Sequence, residues 1–173
     1  VRGGVDLVQV RAKTLDMRER SQLASLLVGV AGHGARVVVN GDPEAARKSG
    51  ASGVHLPETG AGSSVSEARA LLGPDALIGK SVHSVAAAVQ AEADGANYIF
   101  FGTVFPSRSH RGGPTCGVEG IAAGVNAVSV PVIGIGGITV GNCKSVIDAG
   151  AVGVAAIGAI IGAYDSYRAT RAL

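Results

Sequence analysis

Cysteine is scarce in this chain, with two in 173 residues. Cys116 and Cys143 stand far apart and neither belongs to a CxxC pair, which excludes a disulfide framework and a cysteine-based zinc site. A reducing compartment, the cytoplasm, is the expected setting. Aromatic residues make up only 3%, and no run of Lys or Arg is interleaved with them, so a stacking surface for nucleic acid is not expected. The formal net charge is +2 with 16% charged residues, which leaves no basic stripe. Long apolar runs are also lacking. The apolar stretches are strand-length and broken by Gly, and no basic-then-apolar segment opens the chain, so neither a membrane span nor a secretion signal is expected.

What the chain has in quantity is Ala, Val, Ile and Leu within a 47% hydrophobic content, together with 27 Gly. Small branched residues with few aromatics suit parallel strands covered by packed helices, and the length suits one domain over residues 1–173. Internal repeats reinforce this. Gly50-Ala51-Ser52-Gly53-Val54-His55, Gly95-Ala96-Asn97-Tyr98-Ile99-Phe100 and Gly150-Ala151-Val152-Gly153-Val154-Ala155 each close a helical pattern and open a strand, and Gly3-Gly4-Val5-Asp6-Leu7-Val8 is an earlier copy. Successive copies are about two βα units apart. Between them lie Arg36–Asn40, Ala76–Ser81 and Pro131–Ile135, which brings the strand count to seven. Helical periodicity fills Asp16–Ala31, Ser64–Leu72, Val85–Ala93 and Val140–Ala149. Regular β-α alternation with quasi-repeats predicts an α/β fold of the (β/α)8 TIM-barrel kind, with the first strand and most of the first helix missing from this chain.

Such a barrel places its chemistry at the C-terminal strand ends. The polar residues following each apolar run are therefore the candidates. Arg11 and Lys13 alternate with Val10 and Ala12, so both side chains point the same way and suit one anion. Gln9 and Asn40 lie at neighbouring strand ends. Gly136 and Gly137, in Gly134-Ile135-Gly136-Gly137-Ile138-Thr139, and Ile157 with Gly158 are placed to turn backbone N–H groups toward a phosphate at a helix start. On this reading Gly136→Val abolishes phosphate affinity and leaves the fold largely intact. The stretch from Gly102 to Pro114, holding Thr103, Ser107 and Ser109, is the longest strand-to-helix connection and suits a lid. Ser81 and His83 make a polar pair in which the imidazole is placed to shuttle a proton or cap the next helix. His55 ends an apolar strand as an inner histidine, His33 lies in a turn and needs no role, and Cys116 has no base partner in sequence.

These residues resemble a known family: thiamine phosphate synthase and its relative TenI, the thiazole tautomerase. The resemblance spans essentially the whole chain and rests on Gln9-Val10-Arg11-Ala12-Lys13, Asn40, Gly53-Val54-His55-Leu56, Ile78-Gly79-Lys80-Ser81-Val82-His83-Ser84, Phe101-Gly102-Thr103-Val104-Phe105-Pro106, Gly134–Thr139 and Gly150–Ala155. It implies an eight-stranded barrel, with Gly136, Gly137, Ile157 and Gly158 holding a thiazole phosphate and Arg11, Lys13 and Asn40 lining the other side. The synthase branch implies Mg²⁺ held by aspartates in Asn-Asp and Gly-Gln-x-Asp segments. Here stand Asn40-Gly41 and Leu56-Pro57-Glu58-Thr59, with Asp42 and Glu58 nearby. Those pairs, and Ser81–Ser84, resemble TenI more closely, which implies a metal-free thiazole tautomerase, an isomerase without cofactor. Where the TenI pattern has His, this chain has Thr103, so by elimination the base is His83 or His110. The synthase's Thr-x-Thr-Lys segment appears as Ser107-Arg108-Ser109-His110.

The expectation is therefore a TenI-like protein acting on a phosphorylated thiazole. A divergent synthase, a transferase coupling hydroxymethylpyrimidine diphosphate to thiazole phosphate with Mg²⁺, is the alternative. A barrel that binds thiazole phosphate or thiamine phosphate without turnover is the third reading. The expected partners are small molecules and further copies of the same chain, with no membrane and no nucleic acid.

Overall fold

Short polar caps and glycine stops set the elements. The structure is a computed structural model and describes residues 1–59, 62–107 and 112–173. The chain divides into two compact units, Val1–Lys80 and Ser81–Leu173.

In the first unit, β1 (Leu7–Val10) is followed by α1 (Met17–Ala31), β2 (Arg36–Asn40), α2 (Pro43–Ser49), β3 (Gly53–Leu56), α3 (Val65–Leu72) and β4 (Leu77–Val82), whose last two residues open the second unit. β1 pairs with β2, β2 with β3 and β3 with β4, all parallel. The register sets Val10 beside Val39, Asn40 beside His55 and Leu56 beside Lys80, so the strands end at a common edge. Two helices start with reciprocal capping: Asp16 accepts from the Glu19 amide at 2.8 Å while Glu19 accepts from the Asp16 amide at 2.9 Å, and Ser64 and Glu67 do the same for α3. Val37, Val39, Val54, Leu56 and Ile78 from the strands meet Ala24, Ala45, Ala46 and Ala68 from the helices, and the small alanines let each helix lie close to the sheet.

The second unit continues with α4 (Val85–Ala93), β5 (Tyr98–Gly102), α5 (Gly117–Ala127), β6 (Val132–Ile135), α6 (Cys143–Asp148), β7 (Gly153–Ala155), α7 (Gly158–Ile161) and α8 (Ser166–Arg171). β5 pairs with β6 and β6 with β7, again parallel. Ile99, Phe101, Val104, Ile121, Val132 and Val146 form its core. The fold is thus parallel α/β, and the seven expected strands are found among the described residues.

Element boundaries differ from the sequence expectation at particular places. The first strand begins at Leu7, and Val1–Gly4, expected as the tail of a helix, is a turn closed by the Gly4 amide on the Val1 carbonyl, with Gly4 at φ +97. Helix α6 starts at Cys143 and not near Val140: Asn142 accepts from the Thr139 amide at 2.8 Å and donates to the Gly137 carbonyl at 3.0 Å, which closes a side-chain turn in place of a helical one. Helix α5 carries Gly117, Gly120 and Gly124, an unfavourable composition for a helix. A Cβ at Gly124 would lie 2.8 Å from the Phe101 ring, so glycine there makes room for the largest fully buried side chain of the unit. Among the described residues no helix is long and apolar enough to cross a membrane.

Candidate active site

The first unit brings four of the sequence-predicted residues together. Gln9 donates from Nε2 to Asn40 Oδ1 at 2.7 Å, which orients the Asn40 amide so that its NH2 remains available. Arg11, Ala12, Lys13, Asn40 and Gly41 then line a pocket of about 400 Å³ whose remaining wall is Arg20. Arg11 and Lys13 lie just past the end of β1 and are exposed, so they present charge to the pocket without a large desolvation cost.

Arg20 was missed by sequence reasoning. It sits in the first turn of α1, where a charged residue reads as ordinary helix surface, yet its Nη1 donates to Asp42 Oδ2 and its Nη2 donates to the Leu15 carbonyl at 2.8 Å. Asp42 in turn caps α2 by accepting from the Ala45 amide at 2.9 Å through Oδ1. Pro43 at the helix start and Gly50 in the left-handed region at its end complete that short helix.

These commitments bear on the metal that the synthase resemblance implies. Both oxygens of Asp42 are engaged, Gly41 carries no side chain, and Glu58 is half-buried with an interaction of its own. Among the described residues no three His, Cys, Asp or Glu side chains gather in a set suited to a metal ion. The remaining residues, Gly60, Ala61 and Arg108–Arg111, include no carboxylate. The donor set is cationic and amide, which suits an anion and does not fit a two-aspartate Mg²⁺ site.

His55, at the end of β3, is fully enclosed, as expected for an inner histidine. Burial, helped by the Lys80 charge, pushes its pKa down from 6.5 to about 3. The neutral ring is therefore the folded form across the physiological range, and the unfolded chain takes up a proton first as pH falls. Stability should decline below pH 6.5 by about 1.4 kcal/mol per pH unit as acid is added, until the folded pKa is reached. Urea midpoints at pH 6.5 and pH 5 check this in a window above most carboxylate titrations. His55→Gln should flatten the difference, and a wild-type midpoint that does not move would remove His55 as its source.

The second unit holds the other candidates. Ser81 is half-buried near the end of β4, and His83 is exposed at the turn into α4. The cap of α4 is Ser84, whose Oγ accepts from the Ala87 amide at 3.1 Å, so His83 does not fill that place. Thr103 is buried after β5, with its Cγ2 and Cα facing Gly136: a Cβ on Gly136 would lie 2.5 and 2.9 Å from them. A Cβ on Gly137 would strike the Phe105 and Pro106 carbonyls at 2.6 Å. The 103–106 segment also zips onto the end of β6, with Val104 N donating to the Ile135 carbonyl at 2.9 Å and Phe105 N to the Gly136 carbonyl at 3.0 Å. The glycine pair thus serves close packing of two strand ends, and α6 begins six residues after Gly137, so the expected direct Gly-Gly entry into a helix is replaced by the Asn142 turn.

Ile157 and Gly158 follow β7 and open α7, as expected, with Gly158 in open space. Ser107 Oγ is buried and has no hydrogen-bond partner among the described residues. Ser109 and His110 lie outside the described residues. Burial raises the Cys116 thiol pKa, which keeps it protonated and agrees with an incidental cysteine.

Parallel βα units with cations and an oriented amide at C-terminal strand ends make a pocket whose chemistry suits a small anion. Residues 1–160 match the family described as Thiamine monophosphate synthase (TMP-TENI), and the chain belongs to that family. It is 42% identical over 173 residues to a protein of Methanoculleus marisnigri named thiamine-phosphate synthase, covering 99% of this chain and 81% of that one. A protein of the same name from Roseiflexus castenholzii is 40% identical over 176 residues, covering 100% and 76%. The solved structure of thiamine phosphate pyrophosphorylase from Pyrococcus furiosus superposes with a TM-score of 0.90 at 32% identity, covering 99% of this chain and 82% of that chain. The tautomerase expectation drawn from Asn40-Gly41 and Leu56-Pro57 finds no support in these relatives, which carry the synthase name.

Proposed function

We propose that this chain is a thiamine-phosphate synthase, a transferase that joins hydroxymethylpyrimidine diphosphate to thiazole phosphate and releases diphosphate. The carrying observation is the pocket in which Arg11, Lys13 and the Gln9-oriented Asn40 converge. In a dissociative displacement the bond from the pyrimidine methylene carbon to the diphosphate oxygen breaks, and negative charge builds on the leaving group. Cations and amide N–H groups fixed beforehand lower the energy of that state more than that of the intact substrate. The thiazole ring nitrogen then supplies its lone pair to the methylene carbon and becomes positively charged. No proton is transferred in this bond-forming step, so Thr103 in place of a histidine carries no cost for it.

The scaffold for this reaction is, on the same reading, one (β/α)8-type barrel domain, supported by the in-order parallel pairing within each unit and by the 0.90 TM-score. Gly136, Gly137, Ile157 and Gly158 are assigned to the thiazole phosphate by resemblance. Ser107 and Ser109 stay with them as polar ligand-binding candidates, and Ser81, expected as a catalytic residue beside His83, is on this reading a further polar contact. His83 and His110, the bases a tautomerase would need, have no proton to move in the coupling step.

The test offers the protein hydroxymethylpyrimidine diphosphate and thiazole phosphate, with Mg²⁺ or with EDTA, and separately the thiazole carboxylate tautomer alone. Thiamine phosphate and diphosphate in equal amounts are expected. Isomerisation of the carboxylate without any coupling would overturn the synthase reading and restore the tautomerase.

A further inference from the structure

Arg20 is a cation of the pocket that belongs to none of the quoted sequence motifs. Its guanidinium is clamped between the Asp42 carboxylate and the Leu15 carbonyl, and its side chain is 21% exposed, so it is fixed and still reachable. Two of its N–H groups are used by those partners, and the rest of the fork remains for a ligand in the pocket that it shares with Arg11 and Lys13. Asp42 offsets part of this charge through one oxygen while its other oxygen is held by the first-turn amide of α2, which leaves the remaining N–H donors of the guanidinium unengaged by it.

We propose that Arg20 is a third cationic ligand of the diphosphate and takes over the charge neutralisation that a carboxylate-held divalent ion would provide; this rests on the synthase reading above. The turn after β2 carries the argument. Gly41 has no side chain, and the single carboxylate of the turn, Asp42, is spent on capping a helix and holding an arginine. A cation presented by a carboxylate therefore reaches the pocket in both arrangements. Here the cation is a guanidinium, whose planar fork suits paired phosphate oxygens. As the carbon–oxygen bond breaks, Arg20 stays in place and no proton leaves it.

The experiment is calorimetric titration of the whole chain with inorganic diphosphate in EDTA, with thermal unfolding as the control for folding. Wild-type protein should bind without metal. Arg20→Gln should lose about 10- to 100-fold in affinity, the size of one charge-assisted hydrogen bond, and Arg20→Lys should recover part of it. Asp42→Asn keeps a good helix cap and removes the competing charge, so it should bind diphosphate at least as tightly as wild type. If the pair were structural only, both variants would lower the unfolding temperature and neither would move the affinity. Wild-type affinity in Arg20→Gln, or wild-type binding that appears only with Mg²⁺, would overturn the proposal. Thiamine phosphate production alongside unchanged Arg20→Gln affinity would sink Arg20 and leave the synthase reading standing. Arg20-dependent binding with no product would do the reverse.

Discussion

Arg11→Ala should lower the rate of thiamine phosphate formation by about 10²- to 10³-fold, the usual cost of deleting one fixed group that faces developing charge. The expectation follows from position. Arg11 is the first residue past β1 and lines the pocket with Lys13, Arg20 and Asn40. The substrate's diphosphate already carries charge when it binds, so part of the loss falls on KM. The larger part falls on kcat, since the bridging oxygen gains its charge only as the bond breaks. Steady-state kinetics with each substrate varied in turn reads the split. A change below about threefold would place the diphosphate away from this pocket. Being exposed, Arg11 contributes little to the core, so unfolding temperature should be nearly unchanged and the kinetic effect stands by itself.

Gly136→Val should cost about 3 kcal/mol or more of stability. Its φ of +103 is a conformation that a valine backbone adopts only with strain of about 1–3 kcal/mol. A Cβ there would also meet Thr103 Cγ2 at 2.5 Å and Thr103 Cα at 2.9 Å, and forcing side-chain atoms into a packed contact adds about 1–3 kcal/mol. This departs from the sequence-based expectation that the substitution abolishes phosphate affinity in an intact fold. Urea unfolding of the variant measures it, and a midpoint equal to wild type would mean that the 103–106 segment does not hold against β6. The phosphate role is better tested at Gly158, where a Cβ meets nothing within 4 Å. Gly158→Ala should leave stability within about 1 kcal/mol of wild type, so any change in thiazole phosphate affinity reports on binding.

The two glycine positions show why some of the site was legible in sequence and some was not. Both follow an apolar run and stand ahead of a helix, and both read as phosphate-facing turns. Only the spatial neighbour separates them: Thr103, 33 residues from Gly136 in the chain, occupies the place that a side chain on Gly136 would need, while a Cβ on Gly158 meets nothing within 4 Å. Gln9, Arg11, Lys13 and Asn40 were legible because strand alternation and strand-end position are local properties, and the parallel register carries them to one edge. Arg20 was not. Its neighbours Asp16 and Glu19 announce a helix start, and nothing in that signal foretells a carboxylate arriving from the turn after β2.

The sequence by itself determined the order of strands and helices, the parallel α/β class, the family and the cation pair past β1. Each of these follows from short-range periodicity, capping residues or ordered motifs, and the chain carries them wherever it goes. Only the tertiary structure decided that Asp42 is spent on Arg20 and the α2 amide, that Gly136 packs against Thr103, and that His55 is held neutral beside Lys80. Those outcomes depend on distance and burial between residues far apart in the chain. Charge neutralisation, close packing and desolvation act through space, and spacing along a sequence does not measure them.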